Sequence, residues 1–487
     1  VGRREAAVPV SEEAVRYYEE LADGNRDAYL PTLAMSLHNY AGLLSEVGRR
    51  EAAVPVSEEA VRLRRELADG NRDAYLPTLA MSLNNHAALL ASVGRREAAV
   101  PVSEEAVRYY EELADGNRDA YLPTLATSLN NHALRLAEVG RREAAVPVSE
   151  EAVRLRRELA DGNRDAYLPT LAMSLNNHAA LLASVGRREA AVPVSEEAVR
   201  YYQELADGNR DAYLPTLATS LNNHAALLAS VGRREAAMPV SEEAVRLRRE
   251  LADGNRDAYL PDLAMSLNNH AVRLAEVGRR EAAMPVSEEA VRLRRELADG
   301  NRDAYLPDLA GALNNYAGLL SEVGRREAAM PVSEEAVRYY QELADGNRDA
   351  YLPDLAMSLN NHAALLAEVG RREAAMAVSE EAVRYYQELA EDNRDAHLPN
   401  LVRSLTTCGQ VQLARSGFRE SVAPLVEALV LIRDLPVYVQ EIGETIILYL
   451  RVAYAGDPSG VAKELRAVTG HDVPPWMREA PPEPGGS

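Results

Sequence analysis

Cysteine occurs once, at Cys408, and lysine once, at Lys463. A single thiol excludes an internal disulfide framework and any zinc site built on cysteine pairs, and it fits a reducing, cytoplasmic setting. A single lysine outside any glycine-rich loop excludes the phosphate-binding pattern GxxxxGKS/T, and the chain also lacks HExxH, GxSxG and CxxC. No apolar run approaches the roughly 20 residues that cross a bilayer, and no leader peptide is visible. Basic residues are outnumbered, 54 against 75 acidic, for a net charge of −21. Such a balance argues against nucleic acid and anionic membranes as partners. Hydrophobic residues still make up 47% of the chain, enough for a packed protein.

What the sequence has in abundance is repetition. Val-Gly-Arg-Arg recurs at Val1, Val47, Val93, Val139, Val185, Val231, Val277, Val323 and Val369, so nine blocks of 46 residues fill 1–414 and 73 residues follow. Blocks 47–92 and 139–184 are identical, which points to recent duplication or design. Blocks with Tyr17-Tyr18 tend to alternate with blocks of the type Leu63-Arg64-Arg65. A repeat array has no single central core, so the usual length-based domain prior does not apply.

Each block predicts two helices, in the first about 3–22 and a second that starts at Pro31 or near Asn25 and runs to about 46, both rich in Ala, Leu, Glu and Arg. Gly24 is expected to end the first in a left-handed cap and Val47-Gly48 the second. Pro31 is expected in the first turn of the second helix, and Pro9 in the first or second turn of the first, where a proline costs little. Strand signals are missing, so the array is expected to be all-α.

The spacing of Leu37, Ala41, Leu44, Gly48, Ala53 and Ala60 resembles the tetratricopeptide repeat (TPR) signature, and the likeness covers residues 1 to about 435. Small residues at 41, 53 and 60 would let helices approach closely. The 46-residue period is longer than the common one and resembles the kinesin-light-chain-like subtype found in many actinobacterial proteins. An arginine-, alanine- and glycine-rich composition points the same way, to a high-GC bacterial genome. Ser57 stands where the signature has an aromatic residue, and His86 where it has leucine. The resemblance implies a right-handed α-solenoid of helix-turn-helix repeats. Beyond 1–414, a degenerate last repeat and capping helices are expected over 415–470, around 418–434, 437–454 and 460–468, with Ile446, Ile447, Leu448 and Leu450 covering the last repeat. The Pro/Gly-rich 471–487, with Trp476, is expected to be a disordered tail. The chain opens at the turn before a first-type helix, so it is expected to be the C-terminal part of a longer protein, and its open ends to allow self-association.

Two constellations invite a chemical reading. Glu12-Glu13 recurs in every block, but sequence neighbours do not face each other on a helix, and nine equal active sites make no enzyme. His86, His132, His178, His224, His270 and His362 share one column, with Tyr40 and Tyr316 as alternatives. One histidine per repeat, about 10 Å from the next, cannot share an ion whose ligands sit at about 2 Å. These rings read as fillers between helices, with one ring nitrogen hydrogen-bonded. No metal or cofactor is expected. Tyr17, Tyr18, Arg64 and Arg65 are expected to staple neighbouring repeats by stacking and ion pairs.

The resemblance implies that the second helix of each block lines a concave groove, at Met35, His38, Gly42, Ser45, Glu46 and their equivalents. Thirteen of the 46 columns vary among blocks one to eight, and all five of these are among them. The first is occupied by Met81, Thr127, Met173, Thr219 and Met265, and the last by Glu138, Glu276, Glu322 and Glu368. Beside them one column is constant: Asn39, Asn85, Asn131, Asn177, Asn223, Asn269, Asn315 and Asn361. The resemblance implies that such an amide hydrogen-bonds the backbone of a bound peptide, since it donates and accepts at once. Asn84, Asn130, Asn176, Asn222 and Asn268 would extend the ladder; the alternative is that these amides bridge helices. The expected function is a non-enzymatic scaffold holding a protein or peptide segment, of basic or polar character given the glutamates. The alternative is a sensor region of a larger signalling ATPase or protease-linked protein, or a purely structural array.

Overall fold

A computed structural model describes residues 2–435 and 441–479. Eighteen helices alternate over the nine blocks: α1 Gly2–Gly24, α2 Arg26–Glu46, α3 Arg50–Gly70, α4 Arg72–Ser92, and so on at intervals of 46 residues to α17 Arg372–Asp392 and α18 Arg394–Ala414. Among the described residues there is no strand. The chain divides into two compact units, Val1–Leu247 and Arg248–Ser487, each built in the same way.

Two kinds of corner make the array. The link from an odd to an even helix is a single asparagine. Asn71 donates its N–H to Leu67 O (2.9 Å), ending α3, while its side chain accepts from Ala74 N (3.2 Å), starting α4. An asparagine suits both tasks because its short amide caps a helix N-terminus. The preceding glycine, expected to be left-handed, is instead the last helical residue at Gly24, Gly70 and each equivalent. Of the two starts open to the even helices, the one beside Asn25 is taken, so Pro31, expected in the first turn, lies in the second. Pro55 likewise lies in the second turn of α3, on its exposed side, where the carbonyl it displaces can be hydrated.

The link from an even to an odd helix is a left-handed glycine turn. Gly48, Gly94, Gly140 and Gly186 have φ of 84°, 81°, 79° and 79°. Arg95 N–H reaches Leu90 O (2.9 Å) and Gly94 N–H reaches Ala91 O (3.0 Å), the paired bonds of a Schellman ending.

Helices pack only on near neighbours. Val61 and Ala68 of α3, Leu79 and Leu83 of α4 and Ala106 of α5 (Arg96–Gly116) form one small core, and such cores recur along each unit. Ala53, Ala60, Ala80 and Ala87 are buried at the contacts, so backbones approach where a larger side chain would not fit.

The second unit ends in α19 Val422–Leu431, a 3-10 turn Ile432–Asp434, α20 Glu441–Gly456 and α21 Pro458–Thr469. The cap explains why block nine departs from the repeat. A Cβ on Gly409, which replaces the alanine of earlier blocks, would lie 2.5 Å from Leu425 Cγ of α19. Ser416 takes the place of the turn glycine at φ 62° and keeps the same turn bonds, with Gly417 N–H on Gln412 O (2.9 Å). Ile446 and Leu450 are fully buried in the cap, and Ile447 and Leu448 half-buried. Of the stretch expected as a helix from 437, residues 437–440 lie outside the described residues.

The tail expected to be disordered is docked over 471–479. Pro475–Arg478 is a 3-10 turn with Met477 buried, and Arg451 Nε donates to Trp476 O (2.9 Å). Residues 480–487 lie outside the described residues. The cap thus occupies the end face of the last repeat, while α1 exposes Val10, Tyr17 and Leu21.

The two glycine columns make opposite predictions. Gly186→Ala should cost about 1–2 kcal/mol, the strain of a left-handed alanine, although nothing crowds its Cβ. Gly162→Ala, helical and equally uncrowded, should leave stability unchanged or slightly higher. Urea unfolding of the two variants compares them directly.

Candidate peptide-binding face

The 3.6-residue period places positions 35, 39, 42 and 46 of a block on one side of its even helix. Met35, Met81, Met173 and Thr127 are exposed there, as are Asn39, Asn85, Asn177, Asn223, Asn315 and Asn361, while Asn131, Asn269, Thr219 and Met265 are half-buried. Asn84, Asn130, Asn176 and Asn268 sit deeper, and Asn222 is buried. Two cavities of the same construction open between consecutive even helices of the first unit. His38, Gly42 and Ser45 face Asn85, Ala88 and Ser92 around about 400 Å³. Asn176, Ala180 and Ala183 face Asn223, Ala226 and Ser230 around about 360 Å³. The odd helices supply Arg50 and Ser57 to the first, Arg188 and Ser195 to the second.

The two asparagine columns meet across repeats. Asn177 Nδ2 donates to Asn130 Oδ1 (3.4 Å), Asn315 to Asn268 (3.3 Å) and Asn361 to Asn314 (3.4 Å). In the first repeats His38 takes the inner place, with Asn85 Nδ2 3.3 Å from its Nε2. The inner amide oxygens also accept from serine, as Asn84 Oδ1 does from Ser128 Oγ (3.0 Å). Bonds near 3.4 Å are long for N–H···O, and each spends one N–H of an exposed amide that has two N–H groups and an oxygen.

The glutamate column is largely spent inside the array. Glu322 pairs with Arg280 (2.7 Å), Glu138 with Arg135 (2.8 Å), and Glu368 with Arg326 (2.8 Å) and Ser321 Oγ (2.7 Å). The acidic bias expected of this face is reduced accordingly.

Sequence reasoning missed a set of buried arginines. Arg64 and Arg156 of the odd helices are 5% and 4% exposed, and they reach between even helices toward the face. Arg64 Nη1 donates to Thr78 O (2.7 Å) and to Ser82 Oγ, and Arg156 Nη2 to Thr127 Oγ1 (2.5 Å). His38 shares Ser82 Oγ through its Nδ1 (3.2 Å); burial, reinforced by the Arg64 charge, pushes its pKa down to about 4. The legible signal was the exchange of arginine with tyrosine at one column, two long arms with a polar tip. Tyr110 and Tyr202 occupy that column buried, and burial raises both phenols to about 12. The expected stapling occurs in part, at Arg65 and at the outer tyrosine column, while Arg64 is buried instead. Arg72 pairs with Glu112 (2.6 Å) and lies over Tyr109, 5.4 Å from its centroid, whereas Arg65 pairs with Glu105 (2.5 Å).

The histidines are fillers with a fixed partner. His132 Nδ1 lies 2.8 Å from Ser103 Oγ, His224 Nδ1 2.7 Å from Ser195 Oγ and His86 Nδ1 3.1 Å from Ser57 Oγ. The two departures from the repeat signature, serine and histidine, thus meet each other. Ser103 and Ser195 donate their own protons to Val100 O (2.8 Å) and Val192 O (2.9 Å). The imidazoles of His132 and His224 therefore donate from Nδ1, the reverse of a base activating a serine. In block nine Cys408 takes the histidine's place against Ser379, and burial raises its thiol pKa. Among the described residues no group of three His, Cys, Asp or Glu could hold a metal, and no helix is long and apolar enough to cross a membrane.

Paired helices stacked at a fixed period, with one face lined by recurring polar columns, define an α-helical repeat protein. The tetratricopeptide repeat model matches residues 33–70, 79–116, 125–162, 217–255 and 263–301, each match running from an even helix through the next odd one. The chain contains tetratricopeptide repeats. A model described as anaphase-promoting complex subunit 5 also matches, at 163–222 and 346–406. Among solved structures, the apo form of RapI is similar at 12% identity over 80% of this chain and 96% of that one, with a TM-score of 0.53, a likeness of fold. BtubC (BKLC) from P. vanneervenii matches at 22% identity over 52% of this chain and 92% of that one, TM-score 0.42. A Podosopora anserina putative kinesin light chain with nearly identical TPR-like repeats matches at 21% identity over 46% and 98%, TM-score 0.37. No curated protein matches the chain.

Burial lowers the pKa of His86, His132, His178, His224 and His362. Above about pH 6.5 these rings are neutral folded and unfolded; below it the unfolded chain binds protons that the folded one resists. Tm should be flat from pH 8 to 7 and fall as the pH drops below about 6.5. Replacing the five by tyrosine, which the array already uses at Tyr40 and Tyr316, should flatten that limb. A wild-type Tm constant down to pH 5.5 would remove the effect.

Proposed function

We propose that the chain is a non-enzymatic protein-interaction scaffold that holds an extended peptide or protein segment across its even-helix face. The observation that carries this reading is the constant, exposed column Asn85, Asn177, Asn223, Asn315 and Asn361 standing beside columns that vary. An amide with a free oxygen and a second N–H can pair with any peptide backbone, so it has reason to stay the same. The neighbouring positions meet side chains, so they differ from repeat to repeat, as Met81, Thr127 and Met173 do. Cavities of one construction at two repeats offer the same seat twice. An extended segment presenting side chains at regular intervals suits such a row.

The test is Asn177→Ala combined with Asn223→Ala. Peptides selected from a random library on the wild-type protein should bind the double variant roughly ten- to thirtyfold more weakly, the loss of two hydrogen bonds of about 1 kcal/mol each. Thermal stability should change little, because the amides are exposed and Asn177 makes only a long bond. A large loss of stability with peptide affinity intact would assign the column to packing.

A further inference from the structure

We infer that the even-helix face of the first unit selects an acidic segment, with carboxylate side chains seated over the guanidinium groups of Arg64 and Arg156. This rests on the peptide-binding reading and gives it a chemical class of partner.

Burying a cation is costly unless a counter-ion accompanies it. In the second unit the same column has one: Arg248 Nη1 lies 2.8 Å from Asp262 Oδ2, and Arg294 pairs with Asp308. In the first unit the residues matching those aspartates are Thr78 and Thr170. Arg64 is left with a carbonyl and a hydroxyl, and Arg156 with one hydroxyl. The array thus shows what neutralises this arginine, and at two repeats it does not supply it.

The guanidinium groups lie directly beneath the face. Thr127, which receives Arg156, is exposed, and the equivalent residue beside Arg64 is Met35, 51% exposed and flexible enough to move aside. Ser82 links Arg64 to His38, which lines the cavity with Arg50 at its edge. On a chain of net charge −21, such local positive points discriminate between partners; they are not a general anion field. Tyr110 and Tyr202 fill the same column in the intervening blocks. The positive points therefore recur at every second repeat, and carboxylates on the partner would match that spacing.

The experiment compares two short alanine–serine peptides that carry either glutamate or glutamine at every third position, titrated at low salt. The wild type should bind the glutamate peptide about tenfold or more tightly than the glutamine one, with the preference shrinking as salt rises. Thr78→Asp with Thr170→Asp, which supplies the counter-ions of the second unit, should abolish the preference, keep the glutamine-peptide affinity and not lower Tm. Arg64→Tyr with Arg156→Tyr, the residue already used at Tyr110, should do the same. Equal affinities for the two peptides, no measurable binding of the glutamate peptide, or a preference that survives both double variants overturns the inference. Equal affinities that Asn177→Ala and Asn223→Ala still weaken leave the peptide-binding reading standing. A glutamate preference insensitive to those asparagine variants keeps the arginine site and removes the amide ladder.

Discussion

Everything in this molecule follows from the close approach of helices at alanine columns. An isolated helix pair cannot bury its apolar stripe, so each repeat shelters it against the repeats before and after. Ala53, Ala60, Ala80 and Ala87 set how near those neighbours come, and interiors packed at crystal density tolerate little variation in that distance. A fixed separation turns a sequence column into a line in space. Any side chain placed once per block then meets the same surroundings in every block.

That regularity makes the interior polar groups intelligible. A serine and a histidine, each out of place by the usual repeat pattern, form one hydrogen-bonded pair between the helices of a block, as at Ser57 and His86. Because the geometry repeats, one such solution is copied along the chain, and Cys408 against Ser379 is its variant where the cap begins. The arginine column follows the same logic with a less complete outcome. Asp262 and Asp308 answer their arginines, whereas Thr78 and Thr170 do not. Buried polar groups lacking full partners are where a fold departs from its own best packing, and such departures concentrate at functional surfaces.

The face of the even helices combines these elements. Its constant amides, its varied neighbours and the arginine tips beneath it are all presented by helices held rigidly from behind, which suits recognition of a segment that brings its own backbone hydrogen bonds. Exposed ion pairs such as Arg72 with Glu112 contribute little singly. Repeated from junction to junction, and combined with a tyrosine ring where the next repeat carries one, they orient successive repeats.

The helical content, the two helices per block, the glycine turn at Gly48 and the columns that share a face were all legible in the sequence, because period and turn chemistry are local properties. The asparagine corner was not. Asn25 and Gly24 are both plausible breakers, and only the hydrogen bonds that close one helix and open the next on the same residue chose between them. The partners across 29, 40 or 47 residues were likewise beyond local reasoning: Ser57 with His86, Arg72 with Glu112, Asn177 with Asn130. So was the burial of Arg64, which the sequence pattern reads as a staple on the outside of neighbouring repeats. Which residues recur together is written in the chain; which of them touch depends on how far each helix is turned about its axis, and only the packing of neighbours sets that angle.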